Sequence, residues 1–114
     1  MKAKSNRPSR NDLCVVLVTT SSRKEARTVA GAVLRARLAA CVNIVPGVES
    51  HFWWQGKLDR AAEHLLLIKS SRRQFARLAK VVKRTHGYQT PEIIALPVTA
   101  AERAYADWWR GSMR

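Results

Sequence analysis

The chain has 114 residues, which suits one compact domain with one hydrophobic core better than two domains. Hydrophobic residues make up 46% and charged residues 25%, a composition typical of a globular protein and unlike that of a disordered chain. Because no uninterrupted apolar run approaches about 18 residues, no membrane-spanning helix and no membrane partner are expected. The 21 Lys and Arg exceed the 8 Asp and Glu, and the net charge of +13 would ordinarily suggest a polyanionic partner.

The N-terminal segment accounts for part of that charge. Residues 1–11 carry four cations among Pro, Ser and Asn, so we predict a disordered basic tail there and a single domain over residues 12–114. Most other cations fall on the polar faces of two predicted helices, and nucleic acid is therefore not expected as the main partner. The apolar run that follows the tail is too short for a signal peptide, which predicts a cytoplasmic protein.

A strand and a helix are predicted next. Residues 13–20, LCVVLVTT, are nearly all apolar or β-branched, as in a central strand buried on both faces. Ser21 and Ser22 are suited to cap a helix. The buried stripe of that helix recurs at spacings of three and four residues: Ala26, Val29, Ala30, Val33 and Leu34.

A long hairpin is predicted over residues 40–69. Its first arm is interrupted by Pro46-Gly47, where a bulge or bend is expected because Pro cannot donate to a strand ladder. Gln55-Gly56-Lys57 turns the chain into the second arm. Arms this long reach beyond a domain of this size, so the apolar ribbon predicts pairing with another chain.

The remaining chain predicts a helix, a short strand and a final helix. The second helix of the chain is predicted to bury Phe75, Leu78, Val81 and Val82 and to end near Gly87. A strand follows over residues 91–97 and a helix over residues 101–112. The order β-α-β-β-α-β with a short extra C-terminal helix is the split ferredoxin-like topology of an α/β (α+β) protein.

The motifs of common enzyme classes are missing. The sequence contains no GxSxG, HExxH, Walker or GxGxxG pattern and no close pair of carboxylates, so no enzymatic activity is expected. Cys14 and Cys41 lie in apolar stretches without the spacing of a metal site, and both are expected to be buried free thiols.

The three histidines each allow a metal-binding and a structural interpretation. His51 and His64 lie on opposite hairpin arms, where they could face each other, but without a third ligand two exposed strand residues are the expectation. His86 lies at a helix end, where it either caps the C-terminus and meets the helix dipole or binds a metal.

Two tryptophan pairs allow a similar choice. Trp53-Trp54 and Trp108-Trp109 could be platforms on which nucleic-acid bases stack. Because neighbouring strand residues point to opposite faces, we instead expect each pair to contribute one ring to the core and one to an interface.

Four separated segments resemble the CutA family of divalent-cation tolerance proteins. They are LAACVNIVPGVES at 38–50, WWQGKLD at 53–59, LLLIKS at 65–70 and HGYQTPEIIALPV at 86–98, in the family's order and at about its spacing. The resemblance extends over about residues 15–108. It implies a ferredoxin-like homotrimer in which hairpin strands of neighbouring subunits pair, and a non-catalytic role in tolerance to divalent metals, copper above all.

The resemblance also implies site residues. Some relatives offer a cysteine and a second histidine where this chain has Thr19 and Thr85, which leaves His86 as the candidate metal ligand. No obligatory cofactor is implied, and copper or another divalent cation is the ligand to which the family points.

A cleft between subunits is the other implied site. Trp54, Lys69, Tyr88 and Glu92 match family positions near that cleft. The trimer also resembles the PII signalling proteins, so one alternative function is a small-ligand sensor in which Lys69 favours an anionic metabolite. A second alternative is a nucleic-acid-binding module, although the third strand lacks the aromatic pattern of RNA-recognition domains.

Overall fold

The computed structural model describes residues 12–114, and the predicted disordered tail lies outside the described residues. The elements, in chain order, are β1 (Leu13–Thr20), α1 (Arg23–Arg35), β2 (Cys41–Trp54), β3 (Lys57–Ser71), α2 (Phe75–Thr85), β4 (Ile94–Pro97) and α3 (Arg103–Ser112). The strands form one antiparallel sheet in the order β2-β3-β1-β4. The predicted ferredoxin-like order is confirmed, with β1 inside the sheet.

The main core lies between one face of the sheet and the helices α1 and α2. Alternate residues of β1 point into it, as the two-residue period of a strand requires. The core residues that are fully buried include Val16, Val18, Val29, Val33, Leu66, Ile68, Leu78 and Val82. Burying each such side chain stabilises the fold by about 1.5–3 kcal/mol before entropy is counted.

The opposite face of the sheet is covered only at one end. There α3 packs the buried indole of Trp109 against the sheet, and its Nε1 donates a hydrogen bond to the carbonyl of Ser70 at 3.0 Å. Strand register places six apolar, partly exposed side chains on the rest of this face, together with the exposed Asn43. We call this set the open face: Leu17, Val45, Leu65, Leu67, Ile94 and Leu96.

The hairpin projects from the sheet as predicted. A register shift between Val45 and Val48 confirms the bulge, and Gly47 there has φ 75°, which glycine adopts without steric cost. Beyond the bulge, residues 48–63 form a two-stranded ribbon. Gln55 and Gly56 both have positive φ, as a type I′ hairpin turn requires. The ribbon lengthens the molecule to 53 Å, against 27 and 25 Å in the other directions.

Three expectations about buried side chains need correction. Leu34, predicted in the buried stripe of α1, is 38% exposed because it lies at the margin of that stripe. Neither Trp53 nor Trp54 reaches the core, since they are 71% and 47% exposed. In the helical pair, Trp109 is buried at 3% exposure, as predicted for one of the two rings. The strand pair fails because the ribbon extends past both helices, so neither of its faces is covered within the chain. Cys14 is buried as expected, whereas Cys41 on the edge strand is half-buried, and both are free thiols. Burial raises the pKa of the Cys14 thiol to about 11, so this thiol stays protonated.

Within residues 12–114, no helix combines the length and apolar character needed to cross a membrane.

Candidate functional site

The segment that follows α2 is held against β1 by one histidine. His86 ends α2 with an extended backbone, and its Nε2 lies 2.6 Å from the carbonyl oxygen of Thr19 at the end of β1. The backbone N–H of Tyr88 donates to Nδ1 at 3.0 Å. Since Nδ1 accepts a hydrogen bond, Nε2 must carry the proton and donate it to Thr19. The arrangement assigns His86 as a neutral imidazole with both nitrogens engaged.

A carboxylate from α1 fixes the same segment from the other side. Glu25 lies in the first turn of α1, where its backbone N–H donates to the Ser22 hydroxyl at 3.1 Å. Its side chain accepts hydrogen bonds from the backbone N–H groups of Ser21 and Gly87. A Cβ on Gly87 would lie 2.7 Å from the Glu25 carboxylate, so a larger residue here would displace the Glu25 side chain. Glu25 therefore connects the start of α1 to the end of α2.

Tyr88 connects the segment after α2 to the base of the ribbon. Its phenol donates a hydrogen bond to Glu63 Oε2 at 2.8 Å, and Glu63 is only 7% exposed. Burial and this hydrogen bond raise the pKa of Tyr88 to about 12, so the phenol remains a donor at neutral pH. The pair anchors the floor of a cleft between the ribbon and residues 87–92.

The cleft has a volume of about 890 Å³, within the size range of small-molecule sites. Its walls combine aromatic rings and carboxylates. The lining residues are Thr19, Ser50, His51, Phe52, Trp54, Asp59, Glu63, Gly87, Tyr88, Gln89, Thr90, Pro91 and Glu92. Three of the four predicted cleft residues, Trp54, Tyr88 and Glu92, are therefore brought together.

Lys69, the fourth predicted residue, does not line this cleft. It lies six residues beyond Glu63 on β3, which is roughly 20 Å along a strand. Its ammonium donates to the phenol of Tyr105 on α3 at 3.0 Å. A role for Lys69 at a cleft between subunits stays a prediction. Within one chain the described lining contains three carboxylates and no Lys or Arg, which disfavours an anionic ligand.

The pKa of Glu92 is affected by the nearby carboxylate of Glu63. Partial burial and the charge of Glu63 raise the pKa of Glu92 above its ordinary value of 4.5. The folded protein thus holds this proton more tightly than the unfolded chain does. Protonated Glu92 therefore stabilises the folded state at pH values below its ordinary pKa, and this contribution is lost as the pH rises through the folded-state pKa.

Replacing Glu92 with Gln is expected to raise the Tm at about pH 7 and to leave it nearly unchanged at about pH 4, because the neutral amide removes only the cost of ionisation. Thermal unfolding followed by circular dichroism at both pH values measures this. The control is Glu102→Gln, because the pKa of the exposed Glu102 is shifted in the opposite direction. Hydrogen bonds from the backbone N–H groups of Tyr105 and Ala104 lower it. That variant should lower the Tm at about pH 7. A change of Tm in the same direction in both variants at about pH 7 would contradict the raised pKa of Glu92.

The register separates the other two histidines. His51 lies opposite Arg60, whereas His64 lies opposite Thr20, so the two imidazoles do not face each other. His51 is exposed and lies 2.8 Å from the carboxylate of Glu49. His64 is half-buried, and its Nδ1 has no hydrogen-bond partner among the described residues. The two-histidine metal site that the hairpin suggested is therefore not assembled within one chain.

His86 stays a predicted metal ligand, and its surroundings define what binding requires. Residues 12–114 contain no cluster of three or more His, Cys, Asp or Glu side chains arranged to hold an ion. A carboxylate close to His86 is that of Glu25, whose Oε2 lies 4.0 Å from Nδ1. An ion at Nδ1 would have to displace the hydrogen bond from the Tyr88 N–H.

Sequence reasoning missed the role of Glu25. Its spacing from Ser22 fits a capping box, a signal that predicts a helix start but gives no hint of the bond to Gly87. The burial of Glu63 was likewise not predicted from the sequence. Its burial depends on Tyr88, which is 25 residues away in sequence.

Comparisons with known proteins place this chain in a family. The sequence model of the CutA1 divalent ion tolerance proteins matches residues 14–112. The divalent-cation tolerance protein CutA of Thermus thermophilus is 49% identical over 96 residues, covering 84% of this chain and 93% of that protein. The chloroplastic protein CutA 1 of Oryza sativa is 43% identical over 100 residues, covering 88% of this chain. The chain spans only 56% of the length of that rice protein.

Solved structures agree with the sequence comparisons. The T. thermophilus divalent cation tolerance protein superimposes with a TM-score of 0.86 at 47% identity, covering 88% of this chain and 97% of that one. The rice CutA1 structure gives a TM-score of 0.85 at 40% identity, covering 93% and 98%. Similarity of this extent in sequence and fold confirms the resemblance carried by the four separated segments. The chain belongs to the CutA1 family of divalent ion tolerance proteins.

Proposed function

We propose that this protein is a cytoplasmic, trimeric, non-catalytic protein that supports tolerance to divalent cations, copper above all, through weak direct binding. The observation that carries the proposal is membership of the divalent ion tolerance family over residues 14–112. Relatives named as divalent-cation tolerance proteins also cover nearly the whole domain. These names favour the tolerance function over the sensor and nucleic-acid alternatives as the main role.

Trimer formation is supported by the apolar surface that one chain leaves uncovered. The open face includes Ile94 at 48% and Leu96 at 47% exposure, both on the edge strand β4. The ribbon adds Trp53 and Leu58, which are 71% and 69% exposed. Contiguous apolar surface of this kind marks an interface in soluble proteins. Neighbouring copies of the chain would cover the open face and pair with the ribbon edges.

Copper binding would involve His86 and Glu25. These two side chains would hold the ion, since Nδ1 and Oε2 are 4.0 Å apart and imidazole and carboxylate are ligand types that divalent transition metals accept. The His86 side chain is fully covered, so an ion reaches it only when the segment after α2 opens. Opening and the loss of the Tyr88 hydrogen bond both oppose binding, which explains why the proposed affinity is weak.

Copper titration of the wild type, His86→Ala and His51→Ala tests the ligand assignment. Loss of His86 should weaken Cu²⁺ binding by at least about tenfold, the loss that removing even an outer partner of a ligand can cause. The exposed His51 provides the matched control, and its loss should leave the affinity unchanged. Isothermal titration calorimetry measures both affinities.

Electron paramagnetic resonance of the Cu²⁺-loaded wild type gives a second readout that needs no variant. Nitrogen hyperfine coupling is expected if an imidazole binds the ion, and this coupling should persist in His51→Ala. Identical copper affinity of the wild type and folded His86→Ala would show that His86 is not a ligand. Absence of nitrogen coupling in the wild type would lead to the same conclusion.

A further inference from the structure

The outer surface of the helical layer carries a dense set of positive charges that the metal-tolerance function does not use. Residues 23–37 and 72–85 contain eleven Lys and Arg side chains, and all eleven are exposed. We call this surface the basic face: Arg23, Lys24, Arg27, Arg35, Arg37, Arg72, Arg73, Arg77, Lys80, Lys83 and Arg84. The cations within α1 and α2 lie opposite the buried stripes of these helices and therefore point away from the sheet. Arg72 and Arg73 lie in the short 3-10 helix before α2, and Arg37 follows α1 and donates a hydrogen bond to the carbonyl of Ser112 at 3.1 Å.

These charges are not neutralised by neighbouring carboxylates. None of the eleven cations takes part in the contacts between basic and acidic side chains seen among the described residues, which join His51 to Glu49 and His86 to Glu25. The single acidic residue in the two segments is Glu25, whose carboxylate is directed to Ser21 and Gly87 at the edge of the layer. An uncompensated cluster of this density repels itself and attracts polyanions.

The chemistry of the basic face favours phosphate groups in a regular array. Eight of the eleven cations are Arg, whose planar guanidinium binds phosphate oxygens through two parallel hydrogen bonds. The helix α1 has 13 residues and is roughly 20 Å long. A nucleic-acid duplex carries about one negative charge per 1.7 Å, so that length presents about a dozen phosphates.

Two other polyanionic partners fit the face less well. Membrane-bound helices insert apolar side chains into the lipid, but the apolar stripes of α1 and α2 are buried against the sheet. Proteins that hold single strands stack bases on exposed aromatic rings. The exposed aromatic residues of the described chain lie on the ribbon and α3, not on the basic face.

We propose that the basic face binds the phosphate backbone of double-stranded nucleic acid without reading its sequence. This interaction is additional to the tolerance function and does not use the cleft or His86. Because the contact is electrostatic, affinity should fall steeply as salt rises from about 50 to 200 mM.

Fluorescence anisotropy with a labelled DNA duplex of about 20 base pairs tests the proposal on the full chain. In the first variant, Arg77, Lys80, Lys83 and Arg84 of α2 become Gln. In the matched control, the four tail cations Lys2, Lys4, Arg7 and Arg10 become Gln, so that both proteins lose the same net charge. A third variant, with Arg23, Lys24 and Arg27 changed to Gln, tests α1 independently, and circular dichroism confirms that each protein is folded.

The α2 variant is expected to bind the duplex at least about tenfold more weakly at low salt. The slope of log affinity against log salt should also become less steep by about three to four, near one for each phosphate that the variant no longer neutralises. The α1 variant should behave in the same way, and the tail variant should stay within about threefold of the wild type. Duplexes of unrelated sequence should bind equally.

Three results would overturn the proposal. One is that the wild type does not bind the duplex at low salt. Another is that the tail variant loses affinity while both helix variants keep it, which would assign the charge effect to the tail. The last is that the protein is retained on phosphatidylserine-containing vesicles but not on the duplex, which would assign the face to membranes.

Discussion

Replacing Leu96 with Glu is expected to convert the proposed assembly of three 12.9 kDa chains into single chains. Leu96 lies opposite Val15 on β1 and belongs to the open face, where it is 47% exposed within one chain. If neighbouring chains cover this face, the new carboxylate would be buried there without a partner. Such burial is strongly unfavourable, and dissociation of the trimer relieves it.

Size-exclusion chromatography with light scattering measures the mass, first with chelator and then with Cu²⁺. The wild type should have the mass of three chains in both conditions, because the interface is built from apolar side chains. Leu34→Glu is the matched control, since Leu34 is 38% exposed but lies on α1, away from the open face. That variant should remain a trimer. A trimeric Leu96→Glu protein, or a wild type that is trimeric only with copper, would show that the open face does not form the interface.

Replacing Trp109 with Ala is expected to lower the free energy of unfolding by about 3–5 kcal/mol. The indole is 3% exposed and fills the contact between α3 and the sheet. Its removal leaves a cavity and deprives the buried Ser70 carbonyl of the Nε1 hydrogen bond. Urea unfolding at a fixed chain concentration measures the loss.

Trp108→Ala is the control for this prediction. The adjacent ring is 49% exposed, and its contact within the described chain is with the ring of Tyr105 at 5.3 Å between centroids. We expect this variant to lose about 1 kcal/mol, the contribution of one aromatic pair. Equal losses for the two variants would mean that α3 is held by something other than its buried ring.

The proposed trimer and the proposed nucleic-acid contact are compatible because they would use opposite sides of the sheet. Helices α1 and α2 cover one face, and the open face lies on the other. Assembly through the open face would leave the three basic faces pointing outward. Each chain contributes +13 to the assembly, so the outward cations would be separated from one another while remaining accessible to a polyanion.

The local pattern of the sequence determined most of the elements. The β-branched run predicted β1 with the observed bounds, and Ser22 caps α1 as expected. Pro46-Gly47 predicted the bulge, and Gln55-Gly56 the turn. These features depend on the backbone preferences of neighbouring residues, which is why one sequence is enough to find them. The four family segments likewise pointed to the CutA family by their residues and spacing alone.

Packing between segments that are distant in sequence determines which residues form the site. The bond from His86 to Thr19 spans 67 positions and the bond from Gly87 to Glu25 spans 62, distances at which no periodic pattern gives information. The strand register places Lys69 beside Tyr105 and far from the cleft.

The ribbon shows the same limit in a different way. Alternation along a strand correctly places neighbouring side chains on opposite faces, but it cannot tell whether either face is covered. Trp53 and Trp54 are both exposed because β2 and β3 run past the helices that bury the rest of the sheet. The sequence by itself thus determined the elements, their order and the family. Only the tertiary structure decided which side chains meet, because contacts between distant segments depend on how all the elements pack together.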